Sequence, residues 1–210
     1  MFMSKTTFPV FNHQTLRILS DPQKLHEVVA SAHAAPSDGS ARTLWRLDST
    51  RSGMVLYTTS PNPLDPKKFQ QELGGVTEIR PYDIPSEVVE KGSQVKFVLK
   101  ANPAVNITTS EGKPVRRVAR TRAERIQWLS EVGSRGGFTF DDADVEASDD
   151  PASSRTVVRR SEDKGGEHVL ECVVFRGKLR ITDTDAFLST LYAGVGKGKA
   201  FGCGLITLSR

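Results

Sequence analysis

Five glycines and two lysines fall between Gly194 and Gly204, inside the run GVGKGKAFGCGLITLSR. Such a run narrows the possible folds sharply. A phosphate-cradling P-loop reads G-x-x-x-x-G-K-[ST], because loop amides wrap phosphates and the hydroxyl reaches magnesium. With Gly198-Lys199 in that frame, Ala193 stands where the first glycine belongs and Ala200 where Ser or Thr belongs. The dinucleotide pattern G-x-G-x-x-G also fails, since Gly194-x-Gly196 leads to Lys199. Both folds require a helix and further strands after the loop, and only six residues follow Gly204. No nucleotide cofactor is expected. Two readings of the loop stay open at this level. It presents backbone amides and two lysines to an anion, or it ties a helix to a closing strand.

The remaining pattern is alternating strand and helix. Residues 1–8 fit a short strand. Asp21-Pro22 opens a helix, Asp as N-cap and Pro at the first helical position. Leu25, Val28, Val29 and Ala32 then follow the i, i+3, i+4, i+7 spacing of a core face. His26 sits beside that stripe and His33 lies two turns along. Strands follow near 42–48 and 54–60, joined by a turn over 49–53. A short helix over 66–73 and a strand over 75–81 complete the order β-α-β-β-α-β, which is the ferredoxin-like unit. Residues 81–92 read as a linker.

A second series begins with a strand over 95–100 and a polar loop. A helix over 121–132 comes next, with Gly133 as its cap. Residues 141–150, DDADVEASDD, carry six acids and no base, which predicts a solvated, mobile loop. Strands are expected at 155–161 and from 168 through FRGKLRIT. In that segment Phe175, Gly177, Leu179 and Ile181 alternate with Arg176, Lys178 and Arg180, so one face is buried and one is basic. A helix over 184–192 feeds the glycine loop, and 205–209 closes as a strand. The chain is α+β.

Charge narrows the partner. Net charge is only 29 − 25 = +4 over 210 residues. Yet residues 91–135 hold ten bases and three acids, a local net of +7. Arg155 to Arg160 adds RTVVRR. Clustered Lys and Arg neutralise phosphates, and guanidinium forks suit phosphate geometry. Few aromatics are interleaved, so recognition of structured RNA by shape and phosphate fits better than base stacking. A solvated basic face with no ligand is the competing reading. Two cysteines give no zinc spacing, no metal cluster is apparent, and no apolar run approaches ~18 residues. The expectation is a soluble, cytoplasmic protein without metal, cofactor or membrane partner. RNA supplies its own 2′-OH nucleophile, so one histidine suffices as proton carrier. A histidine beside a helix stripe is also a common structural residue, and both readings of His26 remain.

These residues resemble the CasE family, the CRISPR-repeat endoribonucleases of the type I-E Cascade complex. The resemblance spans nearly the whole chain. It rests on GVGKGKAFGCGLITL, on FRGKLRITD, on LKANP (Leu99–Pro103), on the basic stretch Gly112–Leu129, on DPQKLHEVV and on LWRLD. It implies two tandem ferredoxin-like domains of the RRM-like, RAMP kind, placed here at 1–82 and 93–210. It implies metal-independent cleavage 3′ of a repeat hairpin through the 2′-OH, leaving a 2′,3′-cyclic phosphate and a 5′-OH. The product stays bound, and other Cascade subunits are partners. His26 takes the position of the family's catalytic histidine. Where the family often has tyrosine, three positions earlier, this chain has Gln23, which can hydrogen-bond a phosphate or 2′-OH but cannot act as a phenol. A non-catalytic, hairpin-holding subunit is the alternative. Tyr57 or a lysine could compensate, and His33 is structural or auxiliary. By the same analogy Arg155, Arg159 and Arg160 face the RNA stem, Lys113, Arg116 and Arg117 grip its backbone, and Lys197 and Lys199 flank the glycine loop near RNA or at a domain interface.

Overall fold

Two Asp-Pro pairs each start a helix in the first half. In the computed structural model, which describes residues 1–8, 12–33, 42–108, 111–149, 156–159 and 167–209, strand β1 (Phe2–Phe8) leads into α1 (His13–Leu19) and α2 (Pro22–Ala32). The Asp21 carboxylate accepts from the Gln23 and Lys24 amides, and Asp65 does the same for Lys67 and Lys68. Each Pro fills a position whose N–H would have had no helical partner. Then come β2 (Leu44–Thr50), β3 (Gly53–Ser60), α3 (Pro66–Leu73) and β4 (Val76–Pro81). The sheet runs β2-β3-β1-β4 with antiparallel neighbours throughout. That is the ferredoxin-like order. Leu25, Val28, Val29 and Ala32 are buried against Phe8, Trp45, Leu56 and Phe69, as the helical spacing predicts. Helix α1 is an addition to the sequence reading; Asn12 caps it by accepting from the Thr15 amide at 2.7 Å.

Residues 81–92 are less of a linker than expected. They hold a single turn, α4 (Ser86–Val89), and Val89 is buried in the second core. Beyond it lie β5 (Gln94–Ala101), β6 (Ala104–Thr108), β7 (Pro114–Val118), α5 (Arg122–Gly136), β8 (Phe138–Thr139) and β9 (Val145–Asp149). They are followed by β10 (Thr156–Arg159), β11 (Glu167–Leu170), β12 (Val173–Ile181), α6 (Thr184–Ala193) and β13 (Ile206–Ser209). The second sheet runs β13-β5-β12-β8, with β9 also paired to β12. This is the first sheet's order again, its second strand broken into β8 and β9 by a 3-10 turn over Asp142–Asp144. The core packs Trp128 on Phe175, stacked at 5.7 Å, and Phe138 edge-on to Phe187 at 6.0 Å.

Three expectations need correction. Over its described residues, 141–149, the acidic run is not simply a loop: β9 pairs with β12, Val145 is buried, and the acids are exposed. The backbone there is held by Arg122, which donates to the Asp142 and Val145 carbonyls, and by Arg125, which donates to that of Ala147. The polar loop after β5 is the β6–β7 hairpin, with Ala104 opposite Val118. Gly133 does not cap α5. The helix continues to Gly136 and ends at Gly137, whose φ of 73° is the left-handed conformation that glycine tolerates. A Cβ on Gly133 would lie 2.6 Å from the Phe138 carbonyl oxygen, so that glycine serves close packing.

Candidate active site

Helix α2 carries the first candidates. The Asp21 cap and Pro22 fix where the helix begins, so Gln23 and His26 fall one turn apart on neighbouring positions of one face. His26 is half-buried at the edge of the apolar stripe. Among the described residues no hydrogen bond or ion pair engages its imidazole. Gln23 is exposed and donates its side-chain amide to Glu27 at 3.0 Å. His33, by contrast, is 6 % exposed and held at both ring nitrogens, Nδ1 to the Val29 carbonyl at 2.8 Å and Nε2 to Thr58 Oγ1 at 3.3 Å. Burial is the larger influence and pushes its pKa below the ordinary 6.5, against the raising effect of the Val29 bond. It is a structural histidine. Tyr57 lies on β3 beneath the Arg46 guanidinium, 5.3 Å from ring centroid to Cζ.

The glycine-rich loop packs against this helix. Its 3-10 turn, Lys199–Phe201, rests on α2 and β2. The loop closes on itself and on β5, with the Val195 amide donating to Gly204 at 2.9 Å and the Gly204 amide to Lys100 at 2.7 Å. Two glycines are required by approach. A Cβ on Gly202 would lie 2.6 Å from Trp45, and one on Gly194 would lie 2.7 Å from Leu44. The loop is therefore the seam by which the second half docks on β2. Lys199 within it is half-buried, and its ammonium pKa is lowered by burial first and by nearby Arg42 second. Strand β10, whose last residue is Arg159, runs beside α2. Its backbone pairs Arg159 with Glu167. Arg155 and Arg160 lie outside the described residues. The structure thus brings the His26 helix, the Lys199 turn and the Arg159 strand to one place.

The other predicted cations stand elsewhere. Lys197 is exposed and its backbone bridges to Asn102. Together with Arg116 and Arg135 it lines a groove of about 350 Å³ between the β6–β7 hairpin, α5 and the glycine loop. Lys113 pairs with Glu111 at 3.1 Å in solvent. Arg117 is engaged internally: it donates to Glu124, which also accepts from the Arg120 and Thr121 amides. The Arg117 bond first, and those amides next, push the Glu124 carboxyl down to about 2. Arg117 fixes the start of α5 rather than presenting a free cation. Among the described residues no group of His, Cys, Asp and Glu is placed to hold a metal ion, and no helix is long and apolar enough to cross a membrane.

Three residues escaped the sequence reading. Arg135 lies in the groove just named. Asn102 donates to the Glu171 carbonyl at 2.7 Å, tying the LKANP segment to the start of β12. Arg46 is 2 % exposed and spans the two halves, donating to the carbonyls of Val98 and Leu205 while forking onto Asp48. Its one signal was a charged residue in the otherwise apolar start of LWRLD.

Fold and site define a class: a tandem ferredoxin-like protein of the RAMP kind, with a histidine helix set against a basic, glycine-looped face. The family described as "CRISPR associated protein" matches residues 1–210. The chain belongs to that family, and its motifs place it among the CasE members. It is similar to the CRISPR-associated endoribonuclease Cse3 of Thermus thermophilus, 28 % identical over 217 residues and covering 100 % of both chains. The structure of CRISPR endoribonuclease Cse3 bound to 19 nt RNA is matched with a TM-score of 0.82, at 27 % identity and 100 % of both chains. Thermus thermophilus Cse3 bound to an RNA representing a pre-cleavage complex gives 0.81 at 27 % identity, covering 100 % of this chain and 98 % of that one.

Proposed function

We propose that the protein is a CRISPR RNA-processing endoribonuclease that cuts repeat RNA 3′ of its hairpin and stays on the product. The observation that carries this reading is the convergence of the His26 helix, the Lys199 turn and the β10 strand, in a chain similar along its whole length to a named CRISPR endoribonuclease. In the proposed reaction the substrate 2′-OH loses its proton and its oxygen attacks the adjacent phosphorus. The P–O5′ bond breaks, and the leaving 5′ oxygen takes up a proton. The products are a 2′,3′-cyclic phosphate and a 5′-OH. His26 carries one of these protons. Lys199 offsets the growing charge on the phosphoryl oxygens, and its burial strengthens that interaction. No metal takes part. Arg155, Arg159 and Arg160 hold the stem, and Arg116 and Lys197 hold backbone phosphates along the groove. The units are residues 1–82 and 93–210. The setting is cytoplasmic, with Cascade subunits as partners.

A second reading is favoured by one observation. Gln23, at the position of the family's tyrosine, is bonded to Glu27, and a chain without a phenol there would hold the hairpin uncut. The two readings separate in one experiment. Repeat RNA from the host's own array is incubated in excess EDTA with wild-type protein and with His26→Ala. Cleavage by wild type alone, leaving a cyclic phosphate, with hairpin affinity of the variant within a few-fold, is the expected result. Near-normal cleavage by the variant would remove His26 from the mechanism. Tight binding without cleavage by either would establish the hairpin-holding reading.

A further inference from the structure

The sulfurs of Cys172 and Cys203 lie 3.3 Å apart, and both residues are buried, at 2 % and 0 % exposure. They come from different parts of the fold. Cys172 sits in the two-residue connection between β11 and β12. Cys203 sits in the glycine-rich loop just before β13. The two segments are fastened together around the pair. Asn102 holds the Glu171 carbonyl, and a Cβ on Gly198 would lie 3.0 Å from the Leu170 side chain. On the loop side, the Cys203 amide donates to Gly198 at 3.3 Å and the Gly204 amide to Lys100. These contacts fix the backbone on both sides of the pair, which keeps the two sulfurs within reach of each other.

A disulfide bond measures about 2.05 Å, so closure requires the sulfurs to approach by only about 1.3 Å. We propose that Cys172 and Cys203 are a reversible redox modification site, oxidised by peroxide-class oxidants to an intramolecular disulfide that locks the glycine-rich loop to the base of the β10–β11 hairpin. The chemistry balances. One thiolate attacks peroxide, forming a sulfenic acid and releasing one water. The second thiolate attacks that sulfur and a second water leaves, so two thiols and one H2O2 give one disulfide and two waters. Burial makes the reaction wait for a local opening of the loop. Small-molecule dithiols reverse it by exchange.

The lock fixes an arrangement that already exists, so it does not reshape the face carrying Lys199 or the strand beside α2. Its effect is on stability. The closed loop is 31 residues in sequence separation, a length at which cross-linking raises the melting temperature of a chain this size by roughly 5–10 °C.

The test uses the full-length protein with and without stoichiometric hydrogen peroxide, read by intact mass and by peptide mapping after alkylation. The expected result is a loss of 2 Da, a Cys172–Cys203 peptide, restoration by dithiothreitol, and a melting temperature several degrees higher in the oxidised form. Cys172→Ser and Cys203→Ala each abolish both the mass change and the gain. Wild-type protein that keeps both thiols, or gains oxygen atoms in place of losing two hydrogens, overturns the proposal. So does an intermolecular link. A disulfide that forms while the melting temperature falls overturns the claim that the loop is already in place.

Discussion

Arg46 offers the sharpest test of how the two halves are joined. Its guanidinium forks onto Asp48 at 2.8 and 2.9 Å, donates to the Val98 carbonyl at 2.9 Å and to that of Leu205 at 3.4 Å, and lies over Tyr57. Asp48 keeps 25 % of its side chain exposed. In Arg46→Met the aliphatic stem is retained and the charged head is lost. Asp48 then regains water, so its desolvation penalty is modest. The carbonyls at the seam fare worse. A hydrogen bond from a charged donor to a buried acceptor contributes about 1.5–3 kcal/mol, with the longer Leu205 bond at the low end or below it. The stacked ring contributes about 0.5–1 kcal/mol. The sum is roughly 3–4 kcal/mol, or a fall of about 10 °C in melting temperature at this chain length. Arg46→Lys recovers only part of this, because one ammonium cannot span Asp48 and two carbonyls. Urea unfolding followed by circular dichroism measures the loss. A change below about 1 kcal/mol for Arg46→Met would refute the idea that this side chain clamps the halves together.

Two further outcomes follow from groups already described. Burial disfavours the charged form of His33 in the folded protein, whereas the unfolded chain takes up a proton below about 6.5. The His33 contribution is therefore complete above that value and is lost as pH falls below it. Wild type should lose stability between about pH 7 and 5 more steeply than His33→Gln, and equal slopes in denaturant titrations would discard this account. Gly202→Ala should cost about 2–4 kcal/mol, since backbone strain at φ 78° adds to a 2.6 Å clash with Trp45. Gly92→Ala, at φ 95° with nothing within 4 Å, should cost about 1 kcal/mol. Equal losses would mean that the seam yields to the extra carbon.

Much of the fold was legible where local chemistry and tertiary demand agree. The pair Asp21-Pro22 gave one helix start, and the alternation in FRGKLRIT gave the faces of β12. Reading failed where burial is one-sided or shared. The exposed faces of β6, β7 and β9 carry polar residues on so many positions that period two is hidden, and only their partners reveal them as strands. Gly133 and Gly137 are alike in sequence; the Phe138 carbonyl tells them apart. Of the candidate site, the position of His26 was legible from the helix pattern and the family motif. That Arg117 is engaged by Glu124 while Arg116 and Arg135 share a groove was not, because charge clusters in sequence do not say which cations already have partners in the fold. Nor was the packing of the glycine loop on Leu44 and Trp45 legible, because both residues come from β2, far away in the chain.

The broken second strand of the second sheet has an electrostatic consequence. Asp141, Asp142, Asp144, Glu146 and Asp149 are exposed along the β9 edge, three strand spacings or about 14 Å from β13. The loop that leads into β13 carries Lys197, exposed beside Asn102 at the end of β5, and the half-buried Lys199. The separation exceeds the Debye length of about 8 Å at physiological salt, so the two edges present distinct fields and do not cancel. A polyanion drifting toward this sheet would be repelled at the acidic rim before it touches. Orientation is selected during approach, and added salt shortens the reach over which that selection acts.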